Sequence, residues 1–452
     1  MDVSRLPVLR GIVAAMRRLS AIFLLVLAAC TGNGTAPSAP PVRSAQTAMP
    51  PRSESRGRGL SAWIQLGPNG AAELRATTGE DHCPDAAVDG TALPMNLRAA
   101  ATPEFRLTCA ARLPAAARSV SIEGRDLRMA PSRPERILVL GDTGCRLKGK
   151  VAQACNEPAA WPFPRLAAAA AALRPDLVIH VGDYLYRENA CPAADAGCAG
   201  TPFGDNWPTW NADFFAPAAP LLAAAPWVFV RGNHEDCRRA GFGWTRMLAP
   251  APYDPATPCV DHAPPFEVPF DTLELVVMDD ANAPDTAVDA SMVPVYRSEL
   301  AALAGRPAPS WLLLHRPIWA AIAGPLGIPV GGNATLIGAA GTAGIPAPVA
   351  LMLSGHIHSF EALNYDGPAP PQIVAGNGGD KLDATPGNLR GAIFQGRSGV
   401  SVKDGVSAGG FGFLLMTRAG EGWDVRLYDE QGRPQRKCVF AARRVDCPAT
   451  KK

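Results

Sequence analysis

The chain is poor in charge. Only 19% of its 452 residues are Asp, Glu, Lys or Arg, and the two signs nearly cancel, leaving a net charge of +2. A dedicated nucleic-acid binder needs a basic surplus to release counterions, so that class is set aside, beyond a nucleotide as substrate. After the N-terminal segment no run stays apolar for the roughly 18 residues that a membrane helix needs. None of the eleven cysteines forms a Cys-x-x-Cys pair, so a thiolate zinc site is not expected. What is plentiful is apolar material, 47% of residues, enough to bury one large core or two.

The first residues read as an address rather than as structure. Met16-Arg17-Arg18 is basic, Ala21 to Leu27 is a short apolar run, and Leu27-Ala28-Ala29-Cys30 resembles the bacterial lipobox. The expectation is a signal peptide over residues 1–29, lipidation of Cys30, and a flexible Pro/Ser/Ala tether over 30–58. The chain would then be exported to the bacterial periplasm or cell envelope with a lipid bilayer as partner. Thr31, not Asp, follows the cysteine, which favours the outer membrane over the inner.

Cysteine usage fits export. Setting Cys30 aside leaves ten, and they fall as neighbours: Cys83 and Cys109, Cys145 and Cys155, Cys191 and Cys198, Cys237 and Cys259, Cys438 and Cys447. Five local disulfides are the natural hypothesis in an oxidising compartment, although spacing alone does not fix connectivity.

Residues 59–133 carry short alternating runs broken by Gly, Pro and Asp, which predicts a small N-terminal all-β module. Residues 134–452 change character. Apolar strands at Arg136-Leu140, Leu177-Val181 and Trp227-Val230 alternate with Ala-rich helical stretches, Leu166 to Leu173 and Trp210 to Ala225. Strand, helix, strand argues an α/β layer with parallel neighbours. Further strands are expected at Leu273-Met278, Trp311-Leu314 and Ala350-Ser354, with antiparallel strands in the tail. Residues 320–348 and 384–410 lack periodicity and read as surface loops.

The chemistry sits where these strands end. Asp142, Asp183, Asn233, His315 and the pair His356 and His358 each follow an apolar run. Oxygen and imidazole donors together suit Zn, Fe or Mn. Asp183 could bridge two ions, and His356 and His358, two apart in an extended segment, point the same way.

In order, Gly141-Asp142-Thr143-Gly144, Gly182-Asp183-Tyr184-Leu185-Tyr186, Gly232-Asn233-His234-Glu235, Leu312-Leu313-Leu314-His315 and Gly355-His356-Ile357-His358 resemble the five blocks of the calcineurin-like metallophosphoesterases, closest to the purple acid phosphatase branch. The resemblance covers about residues 136 to 380. It implies a four-layer αββα sandwich of two mixed sheets. It also implies one ion held by Asp142, Asp183, Tyr186 and His358 and a second held by Asp183, Asn233, His315 and His356. A bridging hydroxide would attack a phosphate monoester. His234 would bind substrate and serve as acid, and Glu235 would orient His234 or a water. Asn233 and Asn377 would line the substrate pocket. A tyrosinate on ferric iron would colour the protein violet. Alternatives are a phosphodiesterase for nucleotides or lipid head groups, and a non-catalytic surface lipoprotein with a structural metal site. His180, inside an apolar strand, reads as a core histidine.

Overall fold

The computed structural model describes residues 59–395 and 399–448. The signal-like segment, Cys30 and the 30–58 tether lie outside the described residues. No helix among the described residues is long and apolar enough to cross a membrane.

Two mixed sheets pack face to face. In the first, Arg136–Leu140, Leu177–His180 and Trp227–Phe229 run parallel at the centre, and antiparallel tail strands Phe413–Ala419, Gly422–Tyr428, Pro434–Ala441 and Arg444–Asp446 extend one side. In the second, Leu273–Val277, Ser310–Leu313, Val349–Ser354 and Gln372–Ala375 run parallel, edged by antiparallel Phe266–Phe270, Phe360–Tyr365 and Val402–Ala408.

Side-chain alternation builds the layers. Ile137, Val139 and Ile179 point between the sheets, against Leu275, Leu313, Leu351 and Leu353. Leu138, Leu140 and Val178 point the other way, onto Leu166, Ala170 and Leu221 of helices Phe163–Ala172 and Ala216–Ala224. Leu312, Leu314 and Met352 likewise cover Tyr296, Leu300 and Leu336 of helices Val293–Ala302 and Ala334–Ala340. Strands buried on both faces need apolar residues at every position, which is why they read as unbroken runs rather than as alternation. The result is the expected α/β/β/α sandwich.

The region 59–133 is all-β, but its sheet is not its own. Ser61–Leu66 pairs in parallel with Trp227–Phe229, with Gln65 opposite Trp227, and so carries Ala72–Thr78, Leu107–Arg112 and Asn96–Ala99 into the first sheet. A separate four-stranded sheet, led by Ala86–Val88 and Val120–Ile122, covers Ile64, Leu74 and Ala76.

The two expected surface loops contain regular structure. Residues 320–348 hold a hairpin, Ala321–Ala323 with Pro329–Gly331, and the helix Ala334–Ala340. Asn333 caps that helix by accepting from Leu336 N at 2.8 Å. The helix is missed because four of its seven residues are Ala or Gly, which leaves little apolar period to read. Residues 384–410 contribute Val402–Ala408, which completes the second sheet's edge.

The ten cysteines form five disulfides between sequence neighbours: Cys83–Cys109, Cys145–Cys155, Cys191–Cys198, Cys237–Cys259 and Cys438–Cys447.

Candidate metal centre

The parallel strands of both sheets deliver their C-terminal turns to one rim, the place where an α/β sheet exposes its loops. Three of those turns are bent the same way. Asp142, Asp183 and His356 all lie in the left-handed region, at φ 57°, 61° and 68°. Non-glycine residues rarely adopt it, and such backbone persists where the surroundings hold it for a purpose. The approach is close. A side chain at Gly182, itself at φ 99°, would strike the His315 imidazole, and one at Gly232 would strike the Asp183 backbone.

A first group of donors surrounds the Tyr186 hydroxyl. It lies 2.6 Å from Asp183 Oδ2, 3.0 Å from Asp142 Oδ1 and 2.9 Å from His358 Nε2. One phenol proton cannot serve three partners. A second group meets at Asn233. Its Oδ1 lies 3.0 Å from His315 Nε2, and the same amide position is 2.8 Å from His356 Nδ1. Asp183 joins the groups through a single atom, because Oδ2 is also 3.3 Å from His315 Nε2. The donor atoms that Asp183, His315 and His356 could offer a metal lie within 4.8 Å of one another.

These donors fit cations. Each of the three imidazoles meets an acceptor with its outer nitrogen: His315 Nδ1 with Val181 O at 2.8 Å, His358 Nδ1 with Lys381 O at 2.8 Å, His356 Nε2 with Asp285 Oδ2 at 2.9 Å. An N–H donated there leaves the inner nitrogen as a lone pair, the arrangement that metal-ligating histidines adopt. The Asn233 oxygen then faces two lone pairs while its NH2 faces Arg239 Nη1 at 3.0 Å. Without a cation, turning the amide over would make better hydrogen bonds. With one, the oxygen belongs inward.

Electrostatics agree. Burial alone would lower the His315 and His358 imidazoles. Asp183 instead raises the former to about 9, and Asp380 with Asp142 raises the latter to about 10. Burial, with Asp183 and Asp142 beside it, holds the Tyr186 phenol well above its usual range.

Neighbouring residues have other tasks. Glu235 does not orient His234. Its buried carboxylate accepts four backbone N–H groups instead, Asp183 at 3.1 Å, Tyr184 at 2.9 Å, Leu185 at 3.1 Å and Gly232 at 3.1 Å, locking the 182–185 turn. The carboxylate beside His234 is Glu188, 2.7 Å from Nδ1. On the other side of that ring, Lys148 Nζ lies 3.4 Å from Nε2. Asn377 is fully buried and donates to Gly410 O at 2.8 Å, so it fastens the 410–412 loop rather than lining a pocket. His180 is a core residue, bonded to Thr143 Oγ1 at 3.0 Å, and burial lowers its pKa.

Lys148, Glu188, Asp285 and Asp380 escaped the sequence reading because none ends a strand of either main sheet. Asp285 Oδ2 contacts both His356 Nε2 and Arg316, and Asp380 Oδ2 pairs with Arg146 beside His358. One signal was available: Cys145 and Cys155 bracket Arg146 and Lys148, and a stapled loop with two cations is worth noticing. Asp285→Asn is expected to weaken metal retention by about 10- to 100-fold, read by titrating a chelator against the metal-loaded protein.

Comparison with known proteins gives a consistent answer. No curated protein sequence matches the chain. Among solved structures, purple acid phosphatase PPD1 from yellow lupin (Lupinus luteus) seeds superposes with a TM-score of 0.52 at 13% identity, over 82% of this chain and 72% of that one. PhoD superposes with a TM-score of 0.53 at 11% identity, over 87% of this chain and 92% of that one. At such identities the likeness is one of fold. The family model described as calcineurin-like phosphoesterase matches residues 135–360, half of the chain and the part that supplies Asp142, Asp183, Asn233, His315, His356 and His358. The chain therefore belongs to the calcineurin-like phosphoesterases, metal-dependent hydrolases of phosphate esters.

Proposed function

We propose that the rim holds two cations and that the chain is a phosphomonoesterase. The observation that carries this reading is the shared oxygen, Asp183 Oδ2, lying 2.6 Å from Tyr186 in one donor group and 3.3 Å from His315 in the other. Asp142, Asp183, Tyr186 and His358 would hold one ion. Asp183, Asn233, His315 and His356 would hold the second, and Fe, Zn or Mn suits both sets. Bound there, the cations supply Lewis-acid charge that polarises the phosphoryl group and acidifies an attacking water.

The protein's own groups do the rest. His234 Nε2 lies beside Lys148, and Glu188 Oε1 is 2.7 Å from Nδ1 on the other side of the ring. From there Nε2 can pass a proton to the leaving oxygen, a contribution of roughly a hundred- to ten-thousand-fold. Lys148, and Arg239 at 3.8 Å from Glu188, add positive charge for the outer oxygens of a phosphate dianion. A monoester carries that second charge and a diester does not, which favours the monoester. Five disulfides support an exported location, with Cys30 as the proposed lipid anchor.

The test is phosphate release by the purified protein loaded with Mn, Fe or Zn. p-Nitrophenyl phosphate should be turned over faster than bis(p-nitrophenyl) phosphate. The reverse order would make the chain a diesterase, and turnover of neither by fully loaded protein would reject hydrolysis.

A further inference from the structure

A cavity of about 240 Å³ opens beside the second donor group. It is many times the ~10–15 Å³ that one water requires. His356, Asp285, Asp383, Thr286 and Gln395 supply its polar lining, and Pro317, Ile322, Val330 and Ile357 its apolar lining. The ionisable groups are already engaged within the protein. Asp285 pairs with His356 and Arg316, and Asp383 Oδ2 accepts from His358 N at 2.9 Å. The surface left for a visitor is therefore chiefly hydrocarbon. Ile322 and Val330 come from the hairpin Ala321–Ala323 and Pro329–Gly331, which Ile393–Phe394 extends by a third strand.

That hairpin keeps apolar side chains in water. Ile322 is 37% exposed, Ile328 42%, Ile393 59% and Leu326 98%. The cation at the cavity, Arg316, is already paired with Asp285. Lys148 and Arg239 gather around Glu188 and His234, whereas the apolar wall begins at His356 and Ile357.

We propose that this cavity receives the organic group of the ester, and that the chain prefers phosphate esters of apolar aryl or short alkyl alcohols to those of polyhydroxylated alcohols. The proposal rests on reading the rim as a phosphate-ester site, and His356 is the link, because it belongs both to the second donor group and to the cavity lining. A phosphoryl group held at that donor group lies next to the cavity, so the substituent of the ester can enter it. An apolar substituent then leaves water for the Ile322 and Val330 wall, while a polyol would lose its hydration there with only Thr286 and Gln395 as side-chain partners in exchange.

The test uses ligands that carry no ester bond, so binding is read apart from turnover. Titration calorimetry of the metal-loaded full chain compares benzylphosphonate with methylphosphonate. The benzyl compound should bind about tenfold or more tighter, from the area it removes from water. Ile322→Asp and Val330→Trp, one making the wall polar and one filling the cavity, should each reduce the ratio to within about threefold while leaving methylphosphonate affinity unchanged. Because methylphosphonate binding also reports folding, a misfolded variant would be recognised and the other relied upon. Equal binding in the wild type, or a preference that survives in both variants, would overturn the subsite. Binding of neither phosphonate would overturn the phosphate-ester reading itself.

Discussion

Asp183→Ala is expected to lose phosphate-ester hydrolysis by on the order of a thousandfold or more. The two Asp183 oxygens serve both donor groups and the His234 turn. Oδ2 faces both donor groups, at 2.6 Å from Tyr186 and 3.3 Å from His315, while Oδ1 accepts the His234 backbone N–H at 2.8 Å. Burial alone would raise its pKa, but His315 and His234 draw it well below the carboxylate range, so it is ionised whenever the site works. On the proposed two-cation reading, removing it would take a ligand from each ion at once and free the turn that aims His234. Asp183→Asn is the informative companion, since it keeps the shape and removes the charge. Steady-state kinetics on p-nitrophenyl phosphate with saturating metal decides. Activity within tenfold of the wild type in both variants would place the chemistry elsewhere.

Glu235→Ala should unfold the rim rather than merely slow the reaction. Its carboxylate is the acceptor for four backbone N–H groups, three of them in the turn after Leu177–His180. Leaving buried donors without partners costs about 1–3 kcal/mol each, offset in part by water entering the space, so a loss of about 3–5 kcal/mol is expected. The measurement is the shift in denaturant midpoint at constant slope. A residue that acted only in proton transfer would give the opposite pattern, a fall in kcat with stability unchanged.

How much of this was legible in the sequence depends on where a residue sits. Asp142, Asp183 and His356 stood out in the sequence because each follows a glycine at the end of an apolar strand, and the fold brings those turns to one rim. The layers were legible because doubly buried strands such as Arg136–Leu140 must be apolar throughout. Glu235 was misread because adjacency to His234 in sequence says nothing of direction. In the tight turn Asn233–Glu235 the carboxylate folds back onto the neighbouring loop. Asp285 and Glu188 were invisible since they reach the site from irregular segments, brought there by packing that no local pattern records. The entry of Ser61–Leu66 into the first sheet was hidden for the same reason. Strand partners 162 residues apart, Gln65 and Trp227, are chosen by the whole core.

The most direct test is the metal content of the protein after chelation, reconstitution and removal of free ion. Two equivalents per chain are expected in the wild type, falling below one in Asp183→Ala. One equivalent or none in the wild type, or two retained without Asp183, would contradict the two-cation reading.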